Sequence, residues 1–284
     1  MKFKATTAEQ EQQALQRQAA LLSRLSALES VLVAYSGGVD SAYLAWAAHS
    51  ARGPRALAVT AVSPSFSAHD RAQAERCASE AGFLHEFIPT DEFANPLYVA
   101  NNSDRCYHCK TELFDALDRL AAERGFAAVA YGINADDTHD FRPGHRAAAE
   151  HRVLAPLLDA GLAKAEIRAL AEAAGLTVWD RPASACLSSR VPYGIAVTPE
   201  TLAKIEQGEA ILRELGFRQF RLRYHNEVAR IEVATEEMPR ALEPATVRAL
   251  AARLKALGFT YVTLDLEGYR QGSLNAALKK SAGA

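Results

Sequence analysis

The sequence predicts an α/β fold in which a doubly wound parallel sheet is followed by a smaller C-terminal α+β domain. Short apolar segments alternate with helical patterns through the first part of the chain, the order that gives parallel strands with helices on both faces. A glycine-rich turn ends the first of these segments. After residue 196 the order changes to helix, strand, strand, helix and strand. We therefore predict two domains, 1–196 and 197–284.

The elements of the first domain follow from hydrophobic spacing. A helix is predicted over 8–28, where leucine and alanine recur every three or four residues. Apolar segments predict the parallel strands, at 31–35, 56–62, 83–88 and 127–131. The accompanying helices are predicted at 40–50, 68–82, 110–124 and 162–174. The stretch 134–151 is rich in Asp, His, Gly and Arg, and we predict that it is irregular.

The second domain is predicted from a helix start and the pattern after it. Thr198 is an expected N-cap, and Pro199 suits the first helical position. This helix is predicted to end near residue 215. The later elements are predicted as strands over 218–225 and 227–234, a helix over 240–257 and a strand over 260–266.

Composition limits the classes of function. The chain has 284 residues, 49% of them hydrophobic, and a net charge of −2. It has no apolar run of about 18 residues and no signal-peptide pattern, so we expect a cytoplasmic protein without a membrane segment. Thiols stay reduced in that compartment, which favours metal binding or catalysis over disulfides. The near-neutral charge argues against nucleic acid as a partner.

The turn after the first strand, Ser-Gly-Gly-Val-Asp-Ser, predicts an ATP site. Gly37 and Gly38 allow positive φ and close approach of the backbone to phosphate, while the first amides of the next helix point at the anion. Asp40 is a candidate ligand for Mg²⁺. An ordinary strand-to-helix turn is the alternative. The predicted ATP-binding residues are Ser36, Gly37, Gly38, Val39, Asp40 and Ser41.

This turn resembles the PP-loop of the ATP pyrophosphatase superfamily, whose sheet is of the adenine nucleotide α-hydrolase-like type. The resemblance implies cleavage of ATP between its α and β phosphates and adenylation of a substrate. The turn lacks the lysine of the Gly-x-x-x-x-Gly-Lys-Ser/Thr loop, so transfer of the γ-phosphate is not implied.

Cys186 lies among hydroxyl side chains and between Arg181 and Arg190. Guanidinium charge favours the thiolate, and a thiolate attacks activated carbonyls. A small buried thiol in a packed loop is the alternative. The residues alone leave both interpretations open.

The segment Cys-Leu-Ser-Ser-Arg-x-Pro-Tyr-Gly behind a PP-loop domain resembles the LarE family of ATP-dependent sulfur transferases. The resemblance includes the segments 36–41, 105–110, 132–137, 142–144, 186–194 and 264–270. It implies adenylation of a carboxylate of pyridinium-3,5-biscarboxylic acid mononucleotide, with release of pyrophosphate, and conversion to a thiocarboxylate for the nickel-pincer cofactor of lactate racemase. Its implied catalytic residues are Cys186, Asp40 and Arg190. Nickel-insertion and carboxylase enzymes are implied partners, and a homo-oligomer, as a hexamer, is expected.

The family resemblance implies two sources of sulfur. In one, Cys186 attacks the acyl adenylate and then loses its own sulfur, which leaves dehydroalanine. In the other, Cys106, Cys109 and Cys186 hold a [4Fe-4S] cluster whose open iron carries the sulfide. Zinc with His108 as a further ligand is a weaker alternative, as are thiols without metal.

The predicted strand 218–225 places three cationic side chains on one face. Arg221, Arg223 and His225 alternate with Phe220, Leu222 and Tyr224. A solvated face paired with acids such as Glu232 is the plain interpretation. The resemblance instead implies a site for the substrate phosphate, made by Arg221, Arg223 and Arg270.

The sequence also suggests locations or roles for several acidic residues and for Cys77. Carboxylates in the irregular stretch, Asp136, Asp137 and Asp140, are candidates for holding Mg²⁺ or ribose, or are merely solvated. Cys77 is expected in the core. Glu209 and Glu243 are expected on helix surfaces, without a role.

Two other classes of function compete with sulfur transfer. A PP-loop enzyme could pass the activated group to ammonia, as an amidotransferase or synthetase, or could thiolate tRNA. The Cys186 segment argues against the first and the lack of a basic accessory segment against the second. A non-enzymatic nucleotide or iron-sulfur sensor is the remaining alternative, and cleavage of ATP in the presence of the dicarboxylate would discriminate it.

Overall fold

The computed structural model describes residues 8–139, 143–182 and 185–270. The chain packs as two compact units, which are described separately below. Within the described residues, the first unit contains 8–63, 68–92 and 106–182, and the second contains 64–67, 93–105 and 185–270. The domain boundary between residues 196 and 197 stays a prediction.

The helices of both units lie close to the predicted ones in most places. In chain order they are α1 (Ala8–Ser26), α2 (Val39–Arg52), α3 (Ala68–Ala81), α4 (Pro96–Val99), α5 (Arg105–Arg124), α6 (Pro143–Glu150), α7 (Pro156–Asp159), α8 (Lys164–Ala173), α9 (Pro199–Glu214), α10 (Met238–Ala241) and α11 (Pro244–Ala256). Within the described ranges, no helix has the length and apolarity that crossing a membrane requires.

The strands form one sheet in each unit. They are β1 (Val31–Ala34), β2 (Ala56–Val62), β3 (His85–Pro89), β4 (Ala128–Tyr131), β5 (Phe220–His225), β6 (Val228–Val233) and β7 (Tyr261–Leu264). The first sheet has the order β3-β2-β1-β4 and is parallel throughout. The predicted parallel α/β sheet is confirmed, together with a small C-terminal sheet.

The core of the first unit explains why β1 reads as a continuous apolar run. All four of its residues are buried because helices cover the sheet, as expected for a central parallel strand. Leu32 and Val59 from the sheet pack in one apolar cluster with Phe114 and Leu117 from α5.

Three segments of the first unit differ from the prediction, and one of them is the short helix α7, which was not predicted. Helix α6 occupies the end of the stretch predicted to be irregular, because Pro143 suits a first helical position and an alanine run follows it. Helix α5 begins at Arg105 rather than near residue 110, so Cys106 lies in its first turn and Cys109 one turn later.

The second unit packs α9 and α11 against a three-stranded sheet of order β5-β6-β7. Strands β5 and β6 are antiparallel, and β6 and β7 are parallel. Gly208 lets α9 approach the sheet, since a Cβ there would lie 2.2 Å from Leu222 Cδ2. Leu222, Ile231 and Leu254 are members of the buried cluster that results.

The strand order of the first sheet positions a ligand site. Strands β2 and β3 extend the sheet on one side of β1, and β4 lies on the other side. The connection therefore reverses direction between β1 and β4, and ligands of such sheets bind at the carboxyl ends of the strands beside that reversal. Residues 35–41 follow β1 at this edge, and residues 132–137 follow β4.

Candidate active site

The loop of the predicted ATP site is closed by its own serines. Gly37 has φ +75°, and Gly38 is extended and caps α2. The Ser36 amide donates to Ser41 Oγ at 3.1 Å, and Ser41 Oγ donates to the Gly38 carbonyl at 3.0 Å. Val39 begins α2, so the first amides of that helix face the loop. The loop is thus a tight turn of amide and hydroxyl groups at a helix start, which suits phosphate.

Two close approaches fix this loop against neighbouring elements. A Cβ on Gly37 would lie 3.2 Å from Ala74 Cβ on α3, and a Cβ on Gly132 would lie 2.9 Å from the Ser41 nitrogen. The Tyr35 hydroxyl donates to the Ala74 carbonyl at 3.1 Å, and burial raises the pKa of this tyrosine well above its usual range. The loop backbone therefore has little room to move.

Asp40 lies between an amide and an ammonium group. Asn134 Nδ2 is 3.4 Å from Asp40 Oδ1, and Lys164 Nζ forms an ion pair with Asp40 Oδ2. Magnesium typically binds one or two carboxylates together with substrate phosphates, so a single carboxylate beside the phosphate loop suits the ion. The lysine was not among the residues predicted for this site.

The turn after β4 holds the neighbouring carboxylates through the backbone. Asp137 Oδ2 accepts from the Asn134 amide at 3.2 Å, and Asp136 Oδ2 accepts from the Lys164 amide at 2.8 Å. The Asp136 amide in turn donates to Asn134 Oδ1 at 2.9 Å. These two acids therefore shape the turn, and their roles toward Mg²⁺ or ribose stay predictions. Asp140 lies outside the described residues.

Arg181 forms a second contact between the loop and the rest of the first unit. Its Nη1 donates to the Gly37 carbonyl at 3.4 Å, and its Nη2 pairs with Asp70. Arg168 donates to the Arg181 carbonyl at 2.8 Å. Arg181 was predicted to flank Cys186, and in the structure its described contacts are with the loop and α3.

The cysteines differ in exposure. Cys77 is buried, as predicted for a core residue, and burial raises the pKa of its thiol. Cys106 is exposed and Cys109 is half-buried, one turn apart on α5 in the first unit, and Cys186 is exposed in the second. Within the described part of either unit, no group of three His, Cys, Asp or Glu side chains is placed to hold a metal ion. The [4Fe-4S] cluster stays a prediction.

Cys186 begins a short 3-10 turn, Leu187–Arg190, in the second unit. Arg190 lies buried behind it: Nε and Nη2 pair with both carboxylate oxygens of Glu209 at 2.9 and 3.1 Å, and Nη1 donates to the Cys186 carbonyl at 3.0 Å. Arg190 therefore contacts the cysteine through its backbone. Glu209, expected on a helix surface, is buried instead, because it compensates this guanidinium and accepts from the Leu222 amide.

The continuation of the segment is held by a buried asparagine. Asn101 has φ +56° and no exposed surface, and its Nδ2 donates to the carbonyls of Val191, Pro192 and Ile195. Its Oδ1 accepts from Arg105, which also donates to the Ser188 carbonyl at 2.8 Å. One amide therefore satisfies several carbonyls that a buried loop would otherwise leave without partners.

The cationic face of β5 is only partly solvated, since Arg223 is buried and Arg221 and His225 are half-buried. Arg223 pairs with Glu232 at 3.0 and 2.9 Å, the partner that the plain interpretation named, but both side chains are buried. Arg221 lies over the Tyr269 ring at 5.0 Å, and burial, followed by the charge of Arg190, lowers its pKa. Such a crowded cation is a favourable place for an anion.

Arg270, the third residue predicted for the substrate phosphate, is half-exposed. Its guanidinium pairs with Glu267 at 2.6 Å. Arg221 and Arg223 are placed on one face with Arg190 nearby, whereas the described contact of Arg270 is with its own turn. Its role in phosphate binding stays a prediction.

Comparison with known proteins identifies close relatives over nearly the whole chain. A pyridinium-3,5-bisthiocarboxylic acid mononucleotide synthase of Lactiplantibacillus plantarum is 36% identical over 266 residues, which cover 93% of this chain and 96% of the relative. The chain belongs to the LarE family. An uncharacterized protein of Synechocystis is 44% identical over 253 residues, covering 89% of this chain and 94% of that protein. No protein-family model matches the sequence.

Several residues around the candidate sites of this LarE-family chain were missed by sequence reasoning. Lys164, Asn101 and Glu209 all contact predicted site segments from outside those segments; Lys164 is 124 positions from Asp40, and Glu209 is 19 positions from Arg190. Asn101 has the residue type that most readily adopts positive φ, but its burial and its carbonyl partners are evident only in the structure. The other two required the fold.

Proposed function

We propose that the protein is an ATP-dependent sulfur transferase that converts a carboxylate of pyridinium-3,5-biscarboxylic acid mononucleotide into a thiocarboxylate. The observation that carries this proposal is a Ser36–Ser41 phosphate loop in a chain that is 36% identical, over nearly its whole length, to a synthase of the bisthiocarboxylic acid mononucleotide. The loop accounts for activation by ATP, and the exposed Cys186 accounts for delivery of sulfur.

The first step is adenylation. A substrate carboxylate oxygen attacks the α-phosphorus of ATP, the bond to the β-phosphate oxygen breaks, and pyrophosphate leaves. The loop amides and the hydroxyls of Ser36 and Ser41 bind the phosphates. Asp40 would hold Mg²⁺, which supplies positive charge to the phosphate oxygens.

The second step joins sulfur to the activated carbonyl. The Cys186 thiolate attacks the acyl carbon, and AMP leaves with the bonding electrons. In the sacrificial route a base then removes the Cys186 α-proton, the Cβ–S bond breaks, and thiocarboxylate and dehydroalanine result. Arg190 acts as a positioning residue, because its donation to the Cys186 carbonyl fixes the backbone that carries the thiol.

The cluster route uses the same cysteine differently. Cys106, Cys109 and Cys186 would be the three thiolate ligands of a [4Fe-4S] cluster, which supplies a sulfide in place of the cysteine sulfur. Cys186 would then survive turnover. Cys106 and Cys109 belong to the first unit and Cys186 to the second, so this route takes its ligands from both units.

Arg221 and Arg223 are proposed to bind the substrate phosphate, with Arg270 as a further ligand. Burial, followed by the charge of Arg190, lowers the pKa of the half-buried Arg221, and a phosphate beside it would offset that repulsion. In the same reaction sequence, a carboxylase would supply the dicarboxylate and a nickel-insertion enzyme would consume the product. A homo-oligomer stays a prediction.

The test uses the purified, anaerobically isolated protein with ATP, Mg²⁺ and the dicarboxylate mononucleotide. We expect AMP, pyrophosphate and a thiocarboxylate product, each dependent on the dicarboxylate. Cleavage of ATP without the dicarboxylate, or only with ammonia or tRNA, would contradict the proposal. An intact-mass spectrum after turnover separates the routes: loss of one H₂S indicates sacrifice, and an unchanged mass with bound iron and sulfide indicates the cluster.

A further inference from the structure

The phosphate loop contains no cationic residue. ATP brings several negative charges to it, and Asp40 adds another from within the loop. Among the described residues, two cations from elsewhere in the first unit contact the loop. Arg181 donates to the Gly37 carbonyl, and Lys164 pairs with Asp40.

These two cations are held very differently. The Arg181 guanidinium has a second partner in Asp70 on α3, and Arg168 binds the Arg181 backbone carbonyl, so this arginine is held at both ends. Lys164 has its backbone fixed, because its amide donates to Asp136 at 2.8 Å at the start of α8. Its side chain is 35% exposed and ends on the loop carboxylate itself.

The pair of Lys164 with Asp40 is one that can be exchanged at small cost. A partly exposed ion pair stabilises a protein little, and a lysine ammonium on a four-carbon stem can turn without moving the backbone. The Asp40 carboxylate that accepts from Lys164 is also the candidate metal ligand, so an ammonium and a divalent cation would compete for the same side chain. The loop amides and hydroxyls that suit phosphate lie beside it in the same turn.

We propose that Lys164 is an exchangeable counter-ion of the ATP site: its ammonium holds Asp40 in the nucleotide-free protein and turns to the phosphates of ATP when a divalent cation takes its place. The inference rests on the proposed adenylation at this loop. It assigns Lys164 two effects of opposite sign, because the residue opposes a metal ion on Asp40 and supports the binding of nucleotide.

The test compares Lys164→Met with the wild-type full-length chain. Mn²⁺ binding to the nucleotide-free protein is followed by electron paramagnetic resonance, and binding of α,β-methylene-ATP is followed by calorimetry. We expect Mn²⁺ to bind several-fold more tightly, the analogue to bind about tenfold more weakly, and adenylation to slow about a hundredfold. If Lys164 only supported the structure of the loop, its replacement would weaken the binding of both Mn²⁺ and the ATP analogue.

Two further variants keep the test decisive. Lys164→Arg preserves the charge and should keep most of the affinity for the analogue, which excludes misfolding as the cause. Lys204→Met, which removes a lysine from α9 in the second unit, should change neither binding constant. Unchanged or weaker Mn²⁺ binding in Lys164→Met overturns the inference alone. A wild-type protein that does not bind the analogue overturns the inference and the proposed ATP site together.

Discussion

Cys186 is an exposed thiol whose backbone is fixed by a buried arginine. We predict that Cys186→Ala leaves adenylation intact and abolishes sulfur transfer, because the methyl group preserves the segment but provides neither a nucleophile nor a ligand. Release of pyrophosphate and formation of thiocarboxylate, measured in one reaction, check this. Cys77→Ala is the matched control, since that thiol is in the core.

Asp40→Asn should instead weaken adenylation itself, and sulfur transfer should fall with it because it needs the acyl adenylate. Sulfur transfer at the wild-type rate by Cys186→Ala would exclude the role given to that residue. Loss of both steps in Cys77→Ala would instead point to general damage of the first unit.

Glu209 compensates a buried guanidinium, and its removal leaves that charge without a partner. We predict that Glu209→Gln lowers the free energy of unfolding by about 3 kcal/mol or more, because an uncompensated buried charge is costly. Glu243→Gln is the control, since that carboxylate lies exposed at the start of α11, and its change should stay within about 0.5 kcal/mol. Urea unfolding of the two variants measures both. Equal changes would show that the Arg190 pair is not a stabilising contact.

At the scale of elements, the close approach of β4 to the start of α2 fixes the phosphate loop. A Cβ at Gly132 would lie 2.9 and 3.0 Å from backbone atoms of Ser41, so Gly132→Ala must shift the loop. We predict a raised KM for ATP and a loss of about 1 to 3 kcal/mol of stability. Gly53→Ala is the comparison, because its Cβ meets open space, although its φ of +55° also strains alanine. If both variants raise KM equally, the close approach does not matter for the loop.

Short-range sequence patterns predicted the helices and strands more completely than they predicted the residues of the candidate active site. The phosphate loop is readable from sequence because its glycines, its serines and the start of α2 lie within a few residues of one another. Helix α6 was missed because the composition of its surroundings suggested a loop, although Pro143 and the following alanines favour a helix. Lys164 and Glu209 could not be assigned, since their partners become neighbours only when the β1–β4 reversal and the α9–β5 packing exist.

At the scale of the whole molecule, each unit contains a histidine whose protonation opposes folding. Burial lowers the pKa of His85, which is 2.8 Å from Thr60 Oγ1, and burial with nearby arginines lowers that of His225. The unfolded chain therefore takes up protons before the folded one does. The stabilising contribution is present above the ordinary pKa of 6.5 and is lost as pH falls below it.

We predict that the melting temperature falls as the pH is lowered from about 7 to 5 and that His85→Gln and His225→Gln each flatten this dependence. Differential scanning calorimetry across that range measures the slope. The double variant should show the smallest dependence of the three. If the melting temperature of the double variant changes with pH as steeply as that of the wild type, other groups, such as paired carboxylates, control the loss of stability at low pH.

The buried pairs of the second unit have a consequence for how such a sequence can diverge. Arg190 with Glu209, and Arg223 with Glu232, are each buried on both sides. If one member is replaced alone, the other is left as an uncompensated buried charge, which destabilises the protein. Replacement of both members by apolar residues of similar volume avoids this loss of stability. Across descendants, the two members of a pair should therefore be exchanged together or kept together. Substitutions at these four positions should therefore covary as two pairs and not vary independently.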